Sequence, residues 1–249
     1  MTGNVDEVRE VREVAAPSVR HGRMPSARAA AWALGMAAAL CLLLGAWPMQ
    51  AWAGRQAEEP LADSVRTALS AAVGSAEPQL VFADAQQQRQ CDRWARALQH
   101  KLVKRKPDEL VRLEFLNTVC YEAKRAGLEP SLIMGLIQVE SAFRKYAISS
   151  VGARGYMQVM PFWSRLIGTG DPSSLFHMQT NLRFGCVILR HYLDREKGNL
   201  FMALGRYNGS RGQAKYPNMV NAAWRQWQAL ESTPVTRVAD AAGNAPSSP

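Results

Sequence analysis

Hydrophobic residues recur at the spacing of α-helices through the middle of the chain. Trp94, Leu98 and Leu102 are four residues apart, and they predict an amphipathic helix that ends before Pro107. The same reasoning predicts further helices over residues 108–125, from Pro130 to Glu140, after Pro161, and over residues 180–195, 200–207 and 217–230. The alternating pattern of β-strands is nearly absent. The chain is therefore predicted to form an all-α or mostly α fold, with little or no β-sheet.

A charge-free stretch near the N-terminus predicts an export signal over residues 1–53. Residues 29–53 contain no charged residue, follow several arginines, and end on the small residues Ala51 and Ala53. This order is the pattern of a cleaved signal peptide, so cleavage is predicted after Ala53, with translation starting at Met1 or at Met24. An uncleaved membrane anchor is the main alternative, because about 19 apolar residues nearly span a bilayer. A buried core helix is the less favoured one.

Charge and cysteine content are consistent with an exported protein. The chain of 249 residues has a formal net charge of +9, and residues 54–249 keep 25 Lys and Arg against 17 Asp and Glu, or +8. Such a domain is attracted to anionic cell-wall polymers or lipids in the periplasm, whereas no nucleic-acid-binding motif accompanies the charge. Cys91, Cys120 and Cys186 remain after cleavage, so one disulfide at most is predicted. Three small buried apolar residues are the equal alternative.

The region after the signal divides by composition into three parts. Residues 54–85 are rich in Ala, Ser, Glu and Gln, and they are interpreted as a linker or a loosely docked helix. Residues 86–230 carry the helical pattern and form one predicted domain, and residues 231–249 have the composition of a disordered tail. Four basic residues before Pro107 are interpreted as a solvated helix face, with a polyanion-binding patch as the alternative: Lys101, Lys104, Arg105 and Lys106.

Glu140 is out of place in the predicted helix that begins at Pro130. It lies on the same face as Leu132 and Leu136, at the C-terminal end of the helix. Partial burial and the negative end of the helix dipole both disfavour a charged carboxylate, so they raise its pKa. A carboxylic acid that stays protonated near neutrality is suited to general acid catalysis. The alternative is an exposed glutamate whose side chain swings into water.

Three segments in order resemble a known family, the soluble lytic transglycosylase domain. They are ESAF at residues 140–143, GYMQVMP at 155–161 and RYNGS at 206–210. The family pattern has an E-S pair that ends an apolar helix, a G-L-M-Q-x-M-P segment and a later A-Y-N-A-G segment. The resemblance covers residues 108–230. It implies a lysozyme-like, single catalytic domain that cleaves peptidoglycan glycan strands.

The resemblance also implies roles for individual residues. Glu140 matches the catalytic glutamate, and Tyr207 is expected to hydrogen-bond Glu140 or the acetamido group of the sugar. The set expected to bind substrate is Ser141, Ser149, Met157, Gln158, Met160, Tyr207 and Asn208. The departures from the family pattern are Tyr156 for leucine, Arg206 for alanine and Ser210 for a small residue, usually glycine.

The expected chemistry needs one carboxylate and no cofactor. Glu140 would protonate the bond between N-acetylmuramic acid and N-acetylglucosamine, then deprotonate the muramoyl 6-hydroxyl, giving a 1,6-anhydromuramoyl end. A hydrolytic muramidase on the same fold is the nearest alternative, and a non-catalytic wall-binding module is another. No metal site is expected, because His177 and His191 lack the spacing of metal ligands. The protein is expected to be a monomer.

Five aromatic residues are candidates for stacking on sugar rings, with packing in the core as the favoured alternative for each. They are Tyr146, Trp163, Tyr216, Trp224 and Trp227.

Overall fold

The computed structural model describes residues 56–74 and 78–231. These residues belong to one compact unit that spans Gln50–Pro249. The predicted signal over residues 1–53 and nearly all of the predicted tail lie outside the described residues. Within the described ranges, no helix combines the length and the apolar character needed to cross a bilayer.

Helices account for most of the described chain. The α-helices are α1 (Asp63–Val73), α2 (Ala85–Leu98), α3 (Glu109–Arg125), α4 (Pro130–Ser141), α5 (Pro161–Ile167), α6 (Met178–Arg195), α7 (Leu200–Asn208) and α8 (Lys215–Glu231). Two 3₁₀ helices cover Gln99–Leu102 and Pro172–Phe176. Residues 56–74 and 78–231 contain no β-strand, only isolated bridges that pair Arg154 with Ile148 and Val159. The prediction of a mostly α fold is confirmed over this part of the chain.

The boundaries of α3 and α4 follow from capping residues. Asp108 precedes α3 and accepts a hydrogen bond from the Val111 amide at 2.9 Å. After α3 the chain turns at Gly127, whose φ of 64° lies in the left-handed region that glycine adopts without strain. Pro130 then opens α4 at a position where a backbone N–H has no helical partner. These boundaries are those the sequence predicts.

The region predicted as a linker or a loosely docked helix holds a docked helix. Leu69 and Val73 of α1 are buried in the core, and the Arg125 side chain donates a hydrogen bond to the carbonyl of Ala72. Only these two residues of α1 are buried, which explains why the apolar periodicity of the segment is weak. Because α1 packs on the core through so few side chains, the sequence shows only a weak helical pattern there.

Helix α4 lies at the centre of the domain and packs most extensively against α8. The two backbones approach so closely that a Cβ added at Gly135 would lie 2.6 Å from the Trp224 amide nitrogen. Ile133, Met134 and Ile137 are fully buried on the same helix. Because α4 is enclosed over nearly its whole length, the residues at its C-terminal end are also held inside the protein.

One disulfide joins α2 to α3. Cys91 and Cys120 are bonded, with 5.6 Å between their Cα atoms, and Cys186 is a free, buried thiol. The prediction of one disulfide at most is confirmed.

The solvated face predicted before Pro107 is wrong for one of its four members. Lys101, Lys104 and Arg105 are exposed, but Lys106 is only 7% exposed. Its ammonium group lies 4.5 Å from the ring centre of Phe115 and 4.4 Å from that of Tyr156, and it donates a hydrogen bond to the Tyr156 hydroxyl. Two aromatic faces and a hydroxyl replace water around this charge.

The disulfide should contribute measurably to stability. Replacing both Cys91 and Cys120 with Ser is expected to lower the free energy of unfolding by about 3 kcal/mol, because the bond constrains a loop of about 30 residues in the unfolded chain. Urea denaturation measures the difference, and the wild type should show the same loss when reduced. Cys186→Ala, which removes the free thiol but keeps the Cys91–Cys120 bond, is the control and should lose as much stability on reduction as the wild type. Equal midpoints for oxidised and reduced wild type would contradict the expectation.

Candidate active site

Glu140 is buried where α4 ends. Its side chain is 1% exposed, and burial raises the pKa of its carboxyl to about 8. A hydrogen bond from Tyr216 acts in the opposite direction, since it favours the ionised form. Ala142 follows in the left-handed conformation (φ 50°), and this turn ends the helix directly after the glutamate. The carboxyl is therefore protonated at neutral pH, as the sequence predicts.

Tyr216, in the first turn of α8, is the direct partner of Glu140. It is 2% exposed, and its hydroxyl donates a hydrogen bond to Oε1 of Glu140. The second carboxyl oxygen, Oε2, is buried and has no hydrogen-bond partner among the described residues. Since Tyr216 already donates to Oε1, the acidic proton belongs on Oε2. From sequence alone Tyr216 is expected only to stack or pack, because it lies outside all three motifs.

Tyr207 does not make the first of the two hydrogen bonds expected of it, the one to Glu140. Its hydroxyl donates to the Met157 carbonyl at 2.8 Å, so the expectation of a bond to Glu140 is wrong. The Tyr207 and Glu140 groups are nevertheless close enough for the charge of the glutamate to raise the pKa of the buried tyrosine, after the larger effect of burial. Through its hydrogen bond to the Met157 carbonyl, Tyr207 connects the RYNGS segment to the GYMQVMP segment beside Glu140.

Two predicted substrate-binding amides each have one buried oxygen that no residue within 56–74 and 78–231 pairs with. Gln158 donates from Nε2 to the carbonyls of Ala147 at 3.1 Å and Gly155 at 2.8 Å, while its Oε1 has no partner. Asn208 donates to Ser210 Oγ at 2.9 Å, and its Oδ1 has no partner. Gln158 also has a φ of 48°, a strained conformation for a residue with a side chain. Both oxygens are free acceptors, which is unusual for buried groups.

The remaining predicted site residues take other positions. The Ser141 hydroxyl donates to the Ile137 carbonyl at 3.2 Å, so it is used within its own helix. Ser149 is half-buried and accepts a hydrogen bond from the Ala153 amide at 3.0 Å in the loop after α4. Met157 is fully buried, whereas Met160 is half-buried just before α5.

Asn181, on α6, holds the GYMQVMP segment in place and was not predicted. Its Oδ1 accepts from the Met157 amide at 2.8 Å, and its Nδ2 donates to the carbonyls of Arg154 at 2.8 Å and Leu175 at 2.9 Å. A Cβ added at Gly155, whose φ is 75°, would lie 2.4 Å from Nδ2. The glycine is required here by both conformation and space. The sequence signal that could have indicated this role is a polar residue, Asn181, within the apolar stripe of its helix.

Gln56, in the region read as linker or docked helix, contacts the RYNGS segment from outside the motifs. It is 5% exposed, donates to the Tyr207 carbonyl, and accepts a hydrogen bond from Trp163 Nε1 at 2.8 Å. Nothing in the local sequence indicates this contact, because its partners lie more than 100 residues away.

The aromatic candidates divide by exposure. Trp163, Tyr216 and Trp227 are buried, which agrees with packing in the core, and Trp224 is partly buried. Tyr146 is 70% exposed, on the loop that follows Glu140. No cluster of three or more His, Cys, Asp or Glu side chains suited to a metal occurs within residues 56–74 and 78–231.

A family profile described as Transglycosylase SLT domain matches residues 117–226. The match includes Glu140, Gln158, Asn181, Tyr207 and Tyr216. Residues 117–226 belong to this family. The match thus begins within α3 and ends within α8. It contains Glu140 and its partner Tyr216, whereas Gln56 and Lys106, which contact Tyr207 and Tyr156, lie outside it.

Curated relatives share this SLT domain over short spans. The transglycosylase of Enterobacteria phage PRD1 is 32% identical over 104 residues, which cover 42% of this chain and 38% of the phage protein. The membrane-bound lytic murein transglycosylase C of Actinobacillus pleuropneumoniae serotype 5b is 54% identical over 48 residues, or 19% of this chain and 13% of that protein. This chain therefore matches well under half the length of these relatives.

A solved structure of an inactive mutant of the lytic transglycosylase Slt from Pseudomonas aeruginosa is also similar. The TM-score is 0.37 at 20% identity, and the match covers 72% of this chain and 37% of that one.

Removing the Tyr216 hydroxyl should raise the pKa of Glu140 further. In Tyr216→Phe the carboxylate loses the hydrogen bond that favours ionisation, so its pKa is expected to rise above the value of about 8. A titration followed by ¹³C NMR of labelled glutamate carboxyls measures the change. Tyr192→Phe, on α6, is the control, and it should leave the Glu140 titration in place. An unchanged or lowered pKa in Tyr216→Phe would contradict the hydrogen-bond assignment.

The buried carboxyl should make stability fall as pH rises. The pKa of Glu140 is about 8 in the folded state against 4.5 ordinarily, so the folded protein binds more protons between these values and loses stability across that window. Glu140→Gln removes the ionisation, and its free energy of unfolding at pH 7 should exceed that of the wild type by on the order of 3 kcal/mol. Denaturation curves at pH 4 and pH 7 measure the difference. If the difference in free energy of unfolding between Glu140→Gln and the wild type did not grow with pH, a buried Glu140 with a raised pKa would be excluded.

Proposed function

We propose that this chain is an exported peptidoglycan lytic transglycosylase in which Glu140 is the single acid and base. The observation that carries the proposal is the carboxyl of Glu140, buried, protonated at neutral pH and hydrogen-bonded through one oxygen to Tyr216. The family match and the murein-cleaving activity named for the relatives support the same substrate class.

In the first step Glu140 acts as a general acid. The proton on Oε2 passes to the glycosidic oxygen between N-acetylmuramic acid and N-acetylglucosamine, and the bond from C1 to that oxygen breaks. The hydrogen bond from Tyr216 to Oε1 strengthens as the carboxylate becomes charged. The tyrosine therefore lowers the energy of the ionised acid at the moment when the proton leaves.

In the second step the ionised Glu140 acts as a base. It takes the proton of the muramoyl 6-hydroxyl, and that oxygen bonds to C1 of the same sugar, giving a 1,6-anhydromuramoyl end. Because the nucleophile is tethered to the reacting sugar, the step gains from proximity and needs no water. Glu140 is again protonated at the end, so the cycle closes on the starting state.

The surroundings of Glu140 favour this route over one with two carboxylates. Among the described residues, burial and the Tyr216 hydrogen bond account for the shift in its pKa, and no second carboxylate acts on it. Glycosidases with two carboxyl groups hold them within roughly 10 Å of each other. The substrate's own acetamido group is proposed to stabilise the positive charge that develops at C1.

The free oxygens beside the acid are proposed sugar contacts. Gln158 Oε1 and Asn208 Oδ1 are buried acceptors without partners, suited to the N–H of an acetamido group or to a sugar hydroxyl. We assign Tyr207 as a positioning residue, because its hydroxyl is used on the Met157 carbonyl. Ser149 and Met160, both half-buried, remain proposed contacts at the edge of the site.

A periplasmic location is part of the proposal. The Cys91–Cys120 disulfide fits an oxidising compartment, and the predicted signal over residues 1–53 would deliver the chain there with cleavage after Ala53. Retention of the uncleaved segment would instead leave the domain attached to the membrane.

Mass analysis of digested sacculi tests the function. Residues 54–249 are expected to release muropeptides with 1,6-anhydromuramoyl ends, and Glu140→Gln should lower the rate by about 10²-fold or more, since it removes the acid. Asp194→Asn is the matched control, an exposed carboxylate that should not affect the rate.

Three outcomes would overturn the proposal. Hydrated reducing ends in place of anhydro ends would identify a hydrolytic muramidase. An unchanged rate in Glu140→Gln would remove the glutamate from the mechanism, and absence of cleavage by the wild type would leave a wall-binding module.

A further inference from the structure

Four side chains form a row at the surface, three of them from the loop that follows α4 and the fourth, Phe176, from the 3₁₀ helix Pro172–Phe176. The Lys145 ammonium lies 5.3 Å from the ring centre of Tyr146, the rings of Tyr146 and Phe176 are 6.0 Å apart, and the Arg154 guanidinium lies 5.4 Å from the centre of Phe176. We call these residues the aromatic–cation row. Tyr146 at its centre is 70% exposed, and Lys145 is exposed beside it.

Neither cation of the row forms a close ion pair with a described carboxylate, although the charge of Arg154 contributes, after the hydrogen bonds from Ser173, to lowering the pKa of Asp171. Several other arginines pair with carboxylates, as Arg211 does with Glu196 at 2.8 Å. Among the described residues, Lys145 and Arg154 form no ion pair within 4.0 Å. Asp171 uses both carboxylate oxygens on Ser173, at 2.8 Å to the amide and 2.5 Å to the hydroxyl. The cations are therefore available to an anion from outside.

The row is connected to the proposed active site through short hydrogen bonds. Ala147, next to Tyr146, accepts a hydrogen bond from Gln158 Nε2 at 3.1 Å. Arg154 exchanges backbone hydrogen bonds with Val159 at 2.9 and 3.0 Å, and Asn181 joins the Arg154 carbonyl to the Met157 amide. A ligand that contacts the row is held against the same loop that carries Gln158.

We propose that the aromatic–cation row binds the peptide side chain carried by the glycan, and so makes the enzyme prefer peptide-bearing strands. This inference rests on the proposed function. The peptide side chains of peptidoglycan carry free carboxylates, which suit Lys145 and Arg154, while the exposed ring of Tyr146, with the half-buried Phe176 beside it, suits apolar sugar or peptide surfaces. A glycan strand stripped of its peptides keeps one lactyl carboxylate on each muramic acid, close to the sugar, and offers the row none of the carboxylates that a peptide carries further out.

The experiment compares two substrates with one enzyme preparation. Glycan strands with their peptides, and the same strands stripped by an amidase, are digested by residues 54–249, and kcat/KM is measured from the anhydro ends formed. Lys145→Gln together with Arg154→Gln is expected to lower kcat/KM for peptide-bearing strands by about 10-fold and for stripped strands by less than about 2-fold. The preference of the wild type should also weaken as salt is raised, since the contacts are exposed.

Lys104→Gln together with Arg105→Gln is the matched control, because it removes two exposed cations that are not members of the row. It should keep the wild-type preference. Lys145→Glu, a single change at an exposed position, should lower cleavage of peptide-bearing strands selectively even if the double variant is unstable.

The outcomes separate this inference from the function beneath it. If the wild type cleaves both substrates and the row variants reduce the two rates equally or leave the preference intact, the row is not a peptide site and the transglycosylase function stands. If the control variant loses the preference as well, the effect comes from net charge and the inference is overturned. If the wild type cleaves neither substrate, the proposed function fails, and this inference fails with it.

Discussion

The site depends on one hydrogen bond made out of contact with water, from the Tyr216 hydroxyl to Oε1 of Glu140. A carboxyl group removed from water is costly when ionised, so it keeps its proton unless a partner stabilises the charge. Tyr216 supplies that partner without carrying a charge of its own. Its single hydrogen bond favours the ionised form but only partly offsets the effect of burial, so the pKa of Glu140 is about 8. An acid with that pKa both gives and takes a proton near neutrality.

The helical framework can be understood as the means of keeping water from this pair. Glu140 lies in the last turn of α4 and Tyr216 in the first turn of α8. The contact between them depends on the close packing of the two helices, which Gly135 permits. Asn181 fixes the neighbouring GYMQVMP segment from α6, and Gln56 reaches the Tyr207 carbonyl from the start of the described chain. The site is thus assembled from segments that are distant in sequence, and the backbone around Glu140 is held from several sides.

Sequence reasoning reached the helices and the acid but not the partners of the acid. Helix boundaries depend on local residues, such as the N-cap Asp108 and the turn residue Gly127, so the sequence predicts them. Glu140 is recognisable because a charged residue interrupts an apolar stripe. The importance of Tyr216 and of Gln56 arises from contacts across 76 and 151 residues, which spacing along the chain does not encode. Lys106 was misjudged for the same reason, since its neighbours Phe115 and Tyr156 come together only in the fold.

Two glutamates are buried among the described residues, Glu122 and Glu140. The groups around each carboxylate explain why only Glu140 is suited to catalysis. Glu122 accepts two hydrogen bonds from Arg183, at 3.0 and 2.8 Å, so a full positive charge opposes the effect of burial on its pKa. Glu140 has no cation beside it. Lys106 is buried next to the GYMQVMP segment, but its charge is held by aromatic rings and a hydroxyl, and it does not contribute to the pKa of Glu140. An ion pair between the two would stabilise the carboxylate and remove the acidic proton. Keeping the buried ammonium on ring faces, away from the carboxyl, preserves the acid that the proposed chemistry requires.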